Sequence, residues 1–210
     1  MVRRLLLKNR KTLSILVLAI FMAVLNLRCD NDPPPYVMPD LTDQDNLIEF
    51  VQKEIGPEVK FAYYGVFGSD TTRRIAAAEE ISSDKEWGIK FHLFDVKKDT
   101  LIKVYETALL EGSLQESEVV KLEIPGKKYN LIYYSSGAFF MGSGGGEVYN
   151  YVVDFSKRKV NYGHLVVTPK ISAGLFLSPE NEKEASDFIT TELKRNYPRL
   201  KIMAKDHKIE

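Results

Sequence analysis

Residues 119–168 read VVKLEIPGKKYNLIYYSSGAFFMGSGGGEVYNYVVDFSKRKVNYGHLVVT, and this stretch decides the fold class. Val119 to Ile124 and Tyr129 to Tyr134 flank Pro125-Gly126-Lys127-Lys128, where Pro followed by Gly suits a reverse turn. A hairpin is expected there. Glu147 to Phe155 alternates so that Tyr149, Tyr151, Val153 and Phe155 share one side, with Asn150 on the other. Ser156-Lys157-Arg158-Lys159 then turns the chain into Val160 to Thr168, where Tyr162, His164 and Val166 share a face, giving a further hairpin.

The same grammar extends upstream. Trp87 to Val96 and Leu101 to Leu109 flank the polar turn Lys97-Lys98-Asp99-Thr100, and Val59 to Phe67 reads as a strand with Val59, Phe61, Tyr63 and Phe67 on one face. Ile75 to Ile81 stays open between helix and strand, because its alanines favour the first and its neighbours the second. Thr42 to Ile55 reads as a helix with Thr42 as N-cap and Leu47, Ile48, Val51 and Ile55 along its stripe, ended by Gly56-Pro57. A second helix is expected from Pro179 to Asn196, capped by Ser178, with Ala185, Phe188, Ile189 and Leu193 buried.

These elements predict an α+β or mainly β fold: an antiparallel meander of about seven to nine strands. The meander forms a sheet or sandwich with a short N-terminal helix and a C-terminal helix packed on one face. A closed β-barrel is the alternative.

Motif by motif, catalytic chemistry is poorly represented. Gly142 to Gly146 is followed by Glu147 and a strand, whereas a phosphate loop needs Lys and Ser or Thr opening a helix, so the cluster reads as a hairpin tip. Ser143 lacks the flanking glycine that a nucleophile elbow needs at Met141. Ser82-x-x-Lys85 and Ser156-x-x-Lys159 have the spacing of a Ser-Lys pair without its companion elements. His92, His164 and His207 stand far apart, and His92 and His164 meet only if their strands are neighbours. Asp30 and Asp32 lack the glycine turn and later Glu of a calcium loop. No metal or cofactor site is expected. The densest chemical signal is aromatic: Tyr133, Tyr149, Tyr151 and Tyr162, beside the glycine tip, form the candidate partner-binding surface, with strand packing the competing use of the same rings.

The N-terminal residues carry an address. Arg3, Arg4, Lys8, Arg10 and Lys11 precede an apolar run from Thr12 to Leu27 with no ionisable residue, and the only cysteine, Cys29, follows. The run is shorter than the roughly 20 residues that span a bilayer comfortably. Leu25-Asn26-Leu27-Arg28-Cys29 resembles, by position, the lipobox of bacterial lipoprotein precursors, although Arg28 stands where that class carries a small neutral residue. The resemblance implies cleavage before Cys29 and lipidation of its thiol. Asp30-Asn31-Asp32-Pro33-Pro34-Pro35 would then form an extended tether. The expected organisation is an export signal over 1–28, a tether over 29–40 and one globular domain over 41–210. An uncleaved signal anchor in the inner membrane is the alternative, with the amino terminus cytoplasmic in either case.

Removal of residues 1–28 leaves 23 basic against 29 acidic residues, which speaks against general binding of nucleic acid. A lone cysteine excludes an internal disulfide and leaves no cysteine for catalysis in the domain. The function expected is that of an exported envelope protein on the periplasmic face or outer membrane. It would be anchored to the membrane through its N-terminal lipid and play a noncatalytic binding or structural role toward a protein or envelope component. An exported hydrolase is the alternative.

Overall fold

The structure, a computed structural model, describes residues 37–115, 117–139, 145–168 and 172–203. The segment expected to be an export signal, Cys29, most of the expected tether, Phe140 to Gly144 and His207 lie outside the described residues. From Met38 onward the chain clusters as one unit.

Chain order is α1 (Gln44–Glu54), β1 (Val59–Val66), β2 (Arg73–Ser82), β3 (Trp87–Lys97), β4 (Thr100–Glu106), β5 (Ser117–Leu122), β6 (Leu131–Phe139), β7 (Gly146–Asp154), β8 (Lys159–Val167), β9 (Ala173–Leu177), α2 (Lys183–Asn196) and β10 (Lys201–Ile202). The strands form two sheets, ordered β1-β2-β3-β4 and β10-β9-β8-β7-β6-β5. Every pairing is antiparallel between chain neighbours except β9 with β10, which is parallel. The fold is therefore a meandering sandwich, and no barrel closes among the described residues.

Alternation along the strands produces four layers. One face of the first sheet packs Val59, Ala62, Ile75, Ala77 and Phe94 under Leu47, Phe50 and Val51 of α1. The facing sides of the two sheets enclose Ala76, Ala78, Phe91, Ile132, Tyr134, Tyr151 and Val153. The far side of the second sheet packs Tyr133, Val152, Leu165 and Leu175 under Ala185, Ile189 and Leu193 of α2. Each fully buried aliphatic side chain contributes about 1.5–3 kcal/mol, so these three cores carry most of the fold's stability.

The open segment at Ile75 to Ile81 is strand β2, whose small alanines let α1 on one side and the second sheet on the other approach closely. Val59 parts from Phe61 and Tyr63 because the β1–β2 register shifts between Val59 and Phe61, which sends Val59 toward α1. Helix α1 is capped by Asp43, not Thr42: the Asp43 carboxylate accepts from the Asn46 amide at 2.9 Å, while Thr42 bonds Asp40. Helix α2 begins at Lys183, four residues later than Pro179, and Glu182 at its N-cap makes no side-chain cap bond. Strand β8 holds the preceding segment, a turn in which the Asn181 amide donates to the Ser178 carbonyl at 3.2 Å. The Asn181 side chain bonds the Tyr162 amide and carbonyl, both at 2.8 Å, and the Glu182 amide donates to Asn161.

Candidate functional site

The sheets are unequal, four strands against six. Tyr63 of β1 donates to the Val119 carbonyl of β5 at 2.6 Å, Phe91 of β3 packs on Tyr134 of β6, and Tyr105 of edge strand β4 meets Phe155 just past β7. Tyr149 of β7 and Val160 and Tyr162 of β8 pack, partly buried, against the core between the sheets. Register places Tyr149 opposite His164 and His164 opposite Phe176, with Glu147 one step along on the same face of β7. Tyr149, Tyr162 and Phe176 remain half-buried there.

These side chains form a cross-strand ladder. The Tyr149 and His164 rings lie 5.0 Å apart with planes 1° from parallel, and Tyr151 and Tyr162 lie 5.0 Å apart at 32°. His164 also approaches Tyr162 and Phe176 at 6.4 Å. Glu147 ties the ladder down: its Oε2 accepts from the Tyr149 hydroxyl at 2.7 Å and lies 3.2 Å from His164 Nε2.

From the loop after β4, the Glu111 amide donates to the Tyr151 hydroxyl at 3.1 Å, which brings the exposed Glu111 side chain to the rim. Burial, then the hydrogen bond to Glu147, pushes the Tyr149 phenol up to about 12. Burial, then the charge of Glu111, raises that of Tyr162 as well. Both phenols are therefore neutral hydroxyl groups at physiological pH, able to donate and accept hydrogen bonds.

The four tyrosines singled out in the sequence do not form one surface. Tyr133, 3% exposed, lies on the opposite face, where it packs edge-on against Phe188 of α2 and donates to Asn150. Tyr151, 6% exposed, belongs to the core between the sheets. Tyr149 and Tyr162 alone keep surface, and the structure adds His164, Glu147, Phe176 and Glu111 to them. Period-two alternation already put Glu147 on the Tyr149 face; Glu111 had no such signal because a loop delivers it.

His92 and His164 sit in different sheets, and His92 instead faces Glu79 at 2.8 Å. Ser156 accepts from the Ser69 amide in a turn. No group of three or more His, Cys, Asp or Glu suited to a metal occurs among the described residues.

Two larger grooves lie elsewhere among the described residues. One of about 550 Å³ runs along the β5–β6 turn, where Lys127 is already held by buried Asp154 at 3.2 Å. Another, of about 530 Å³, is an apolar hollow at the foot of α2 around Tyr197, Pro198 and Leu200.

Comparison with known protein families, with curated proteins and with solved structures gives no match.

Proposed function

We propose that this chain is an exported, lipid-anchored protein of the bacterial cell envelope whose domain recognises a partner through the face built by Tyr149, Tyr162, His164 and Phe176. The recognition half rests on one observation: Tyr149, Tyr162 and Phe176 keep part of their surface on one sheet face, around a His164 that is 8% exposed. Aromatic side chains left half-exposed supply large contact area at low entropic cost, which is why they dominate recognition surfaces. The anchoring half rests on the basic segment, the apolar run and Cys29, followed by an acidic, proline-rich stretch suited to a tether.

Two acyl chains at Cys29 would hold the domain stably at a membrane, whereas one gives marginal binding. Mass spectrometry of the mature protein is expected to find a modified Cys29 at its amino terminus, and Arg28→Gly is expected to speed processing. An intact Met1, or an unmodified later terminus, refutes the anchoring half.

An exported hydrolase is the second reading, and the His164–Glu147 contact favours it because a histidine oriented by a carboxylate is the usual form of a general base. The nearby Ser136 hydroxyl donates to the Ser113 carbonyl and accepts from the Ser113 amide, a structural role. Esterase and amidase activity abolished by both His164→Gln and Glu147→Gln, with folding intact, would establish the hydrolase instead.

A further inference from the structure

Resting on the recognition reading above, we infer that the group received at this face is a basic side chain, lysine or arginine, presented by a protein partner. It would sit against the Tyr149 and Tyr162 rings, between the carboxylates of Glu147 and Glu111.

Charge is the first argument. Glu147 accepts from Tyr149 and lies 3.2 Å from His164, and the Glu111 amide bonds the Tyr151 hydroxyl, so the face carries two carboxylates beside one imidazole and neutral hydroxyls. An anionic ligand would be repelled there, and a purely apolar one would strip water from the carboxylates without replacing its hydrogen bonds. A cation satisfies both. It would also meet ring faces whose quadrupole attracts positive charge.

The second argument comes from how this protein uses its other tyrosines. Arg73 lies over Tyr64 at 5.8 Å, Lys127 over Tyr129 at 5.3 Å and Arg158 over Tyr105 at 5.8 Å. Among the described residues, Tyr149 and Tyr162 have no such internal cation. Tyr149 stacks instead on His164, and with Glu147 and Glu111 beside the two rings a lysine or arginine arriving from outside would complement them.

Shape selects the source. A small molecule needs a concavity that buries most of its surface, whereas these residues lie in a row across neighbouring strands. A side chain carried on a larger surface brings its own burial, and Phe176 and Val166 extend the contact along the same inner positions of β8 and β9. The excess of acidic residues after residue 28 would steer a basic partner toward the domain.

The test uses the full mature chain in detergent at fixed ionic strength, with the side-chain resonances of Tyr149, Tyr162 and His164 followed by NMR. The probes are acetylated, amidated tripeptides of lysine, glutamine and glutamate, together with methylammonium. The lysine peptide is expected to shift all three residues saturably, and Glu111→Gln and Glu147→Gln each to raise its half-saturation concentration by about tenfold. Because Glu111 is exposed on a loop, its variant is expected to keep the wild-type melting temperature and so report on the ligand alone.

Equal shifts from the glutamine or glutamate peptide would overturn the cationic ligand while leaving the recognition face standing. Equal affinity for methylammonium would replace the partner's side chain with a free amine and overturn the inference. Unmoved resonances with every probe would overturn the inference and remove its support from the recognition reading.

Discussion

Tyr149 of β7 and His164 of β8 are directly paired across the strands, stacked at 5.0 Å with nearly parallel rings, and share one oxygen of Glu147. This arrangement couples an aromatic contact worth about 0.5–1.5 kcal/mol to a carboxylate that fixes both polar tips. It therefore pre-orders the candidate face before any ligand arrives.

Tyr149→Phe keeps the stack and removes the hydroxyl bonded to Glu147. Because the site is half-exposed and water can replace the bond, the loss of stability is expected to be about 1 kcal/mol, measured by urea unfolding. A loss comparable to that of a core truncation would assign Tyr149 to packing.

Tyr133→Ala and Tyr151→Ala should each cost about 3–5 kcal/mol, because both rings are consumed by cores on opposite faces of the second sheet. Calorimetric melting would show it. Near-wild-type melting of either variant would mean that its ring is not buried as described.

His92 is 3% exposed, with Nε2 at Glu79, Nδ1 3.6 Å from Glu106 and without a hydrogen-bond partner, and Lys103 bonded to that same Glu106. Burial outweighs the opposing pull of Glu79 and holds the imidazole below its ordinary 6.5. The unfolded chain thus protonates first as pH falls. The contribution of His92 is whole above pH 6.5 and is lost as pH drops through the folded value. His92→Gln should flatten the stability curve below that point in urea unfolding across pH; an unchanged slope would contradict this assignment.

Lys127 lies between Asp154, 1% exposed at the side chain, and Glu182, while Lys157 meets Glu182 nearer the solvent. Lys127→Met would leave the Asp154 charge buried without its cation, at a cost of about 3–5 kcal/mol. Lys157→Met should cost less than about 1 kcal/mol. Equal effects in denaturant titrations would refute the distinction.

Gly88 has φ +149°, and a Cβ there would stand 2.3 Å from the Leu110 carbonyl oxygen. That carbonyl accepts from Ile89, and the Leu110 amide returns the bond, so this close approach fixes the loop that carries Glu111. Gly88→Ala should destabilise by about 1–3 kcal/mol and lower hydrogen-exchange protection at Leu110. Retained protection would show that the loop is held elsewhere.

The sequence by itself determined the hairpins, the existence of both helices and the sharing of a face by Tyr149 and Tyr151 opposite Asn150, because alternation and turn chemistry act within a few residues. Asn150 is fully buried, its amide bonded to the Val148 and Gly163 carbonyls and its carbonyl oxygen accepting from Tyr133 and Ser135. Local signals also misplaced the start of α2, since the Tyr162 backbone and the Asn161 side chain of β8 capture Asn181 and Glu182 from a distant part of the chain.

Only the tertiary structure decided that the strands divide four and six, that β9 and β10 extend the larger sheet, and that His92 and His164 part company. It also divided the tyrosines: Tyr133 went to the α2 core, Tyr151 to the space between the sheets, and Tyr149 and Tyr162 to half-buried positions beside it. Alternation tells which residues share a side of a strand. Which side faces a helix, another sheet or water depends on long-range pairing and on how many strands the opposing layer contains.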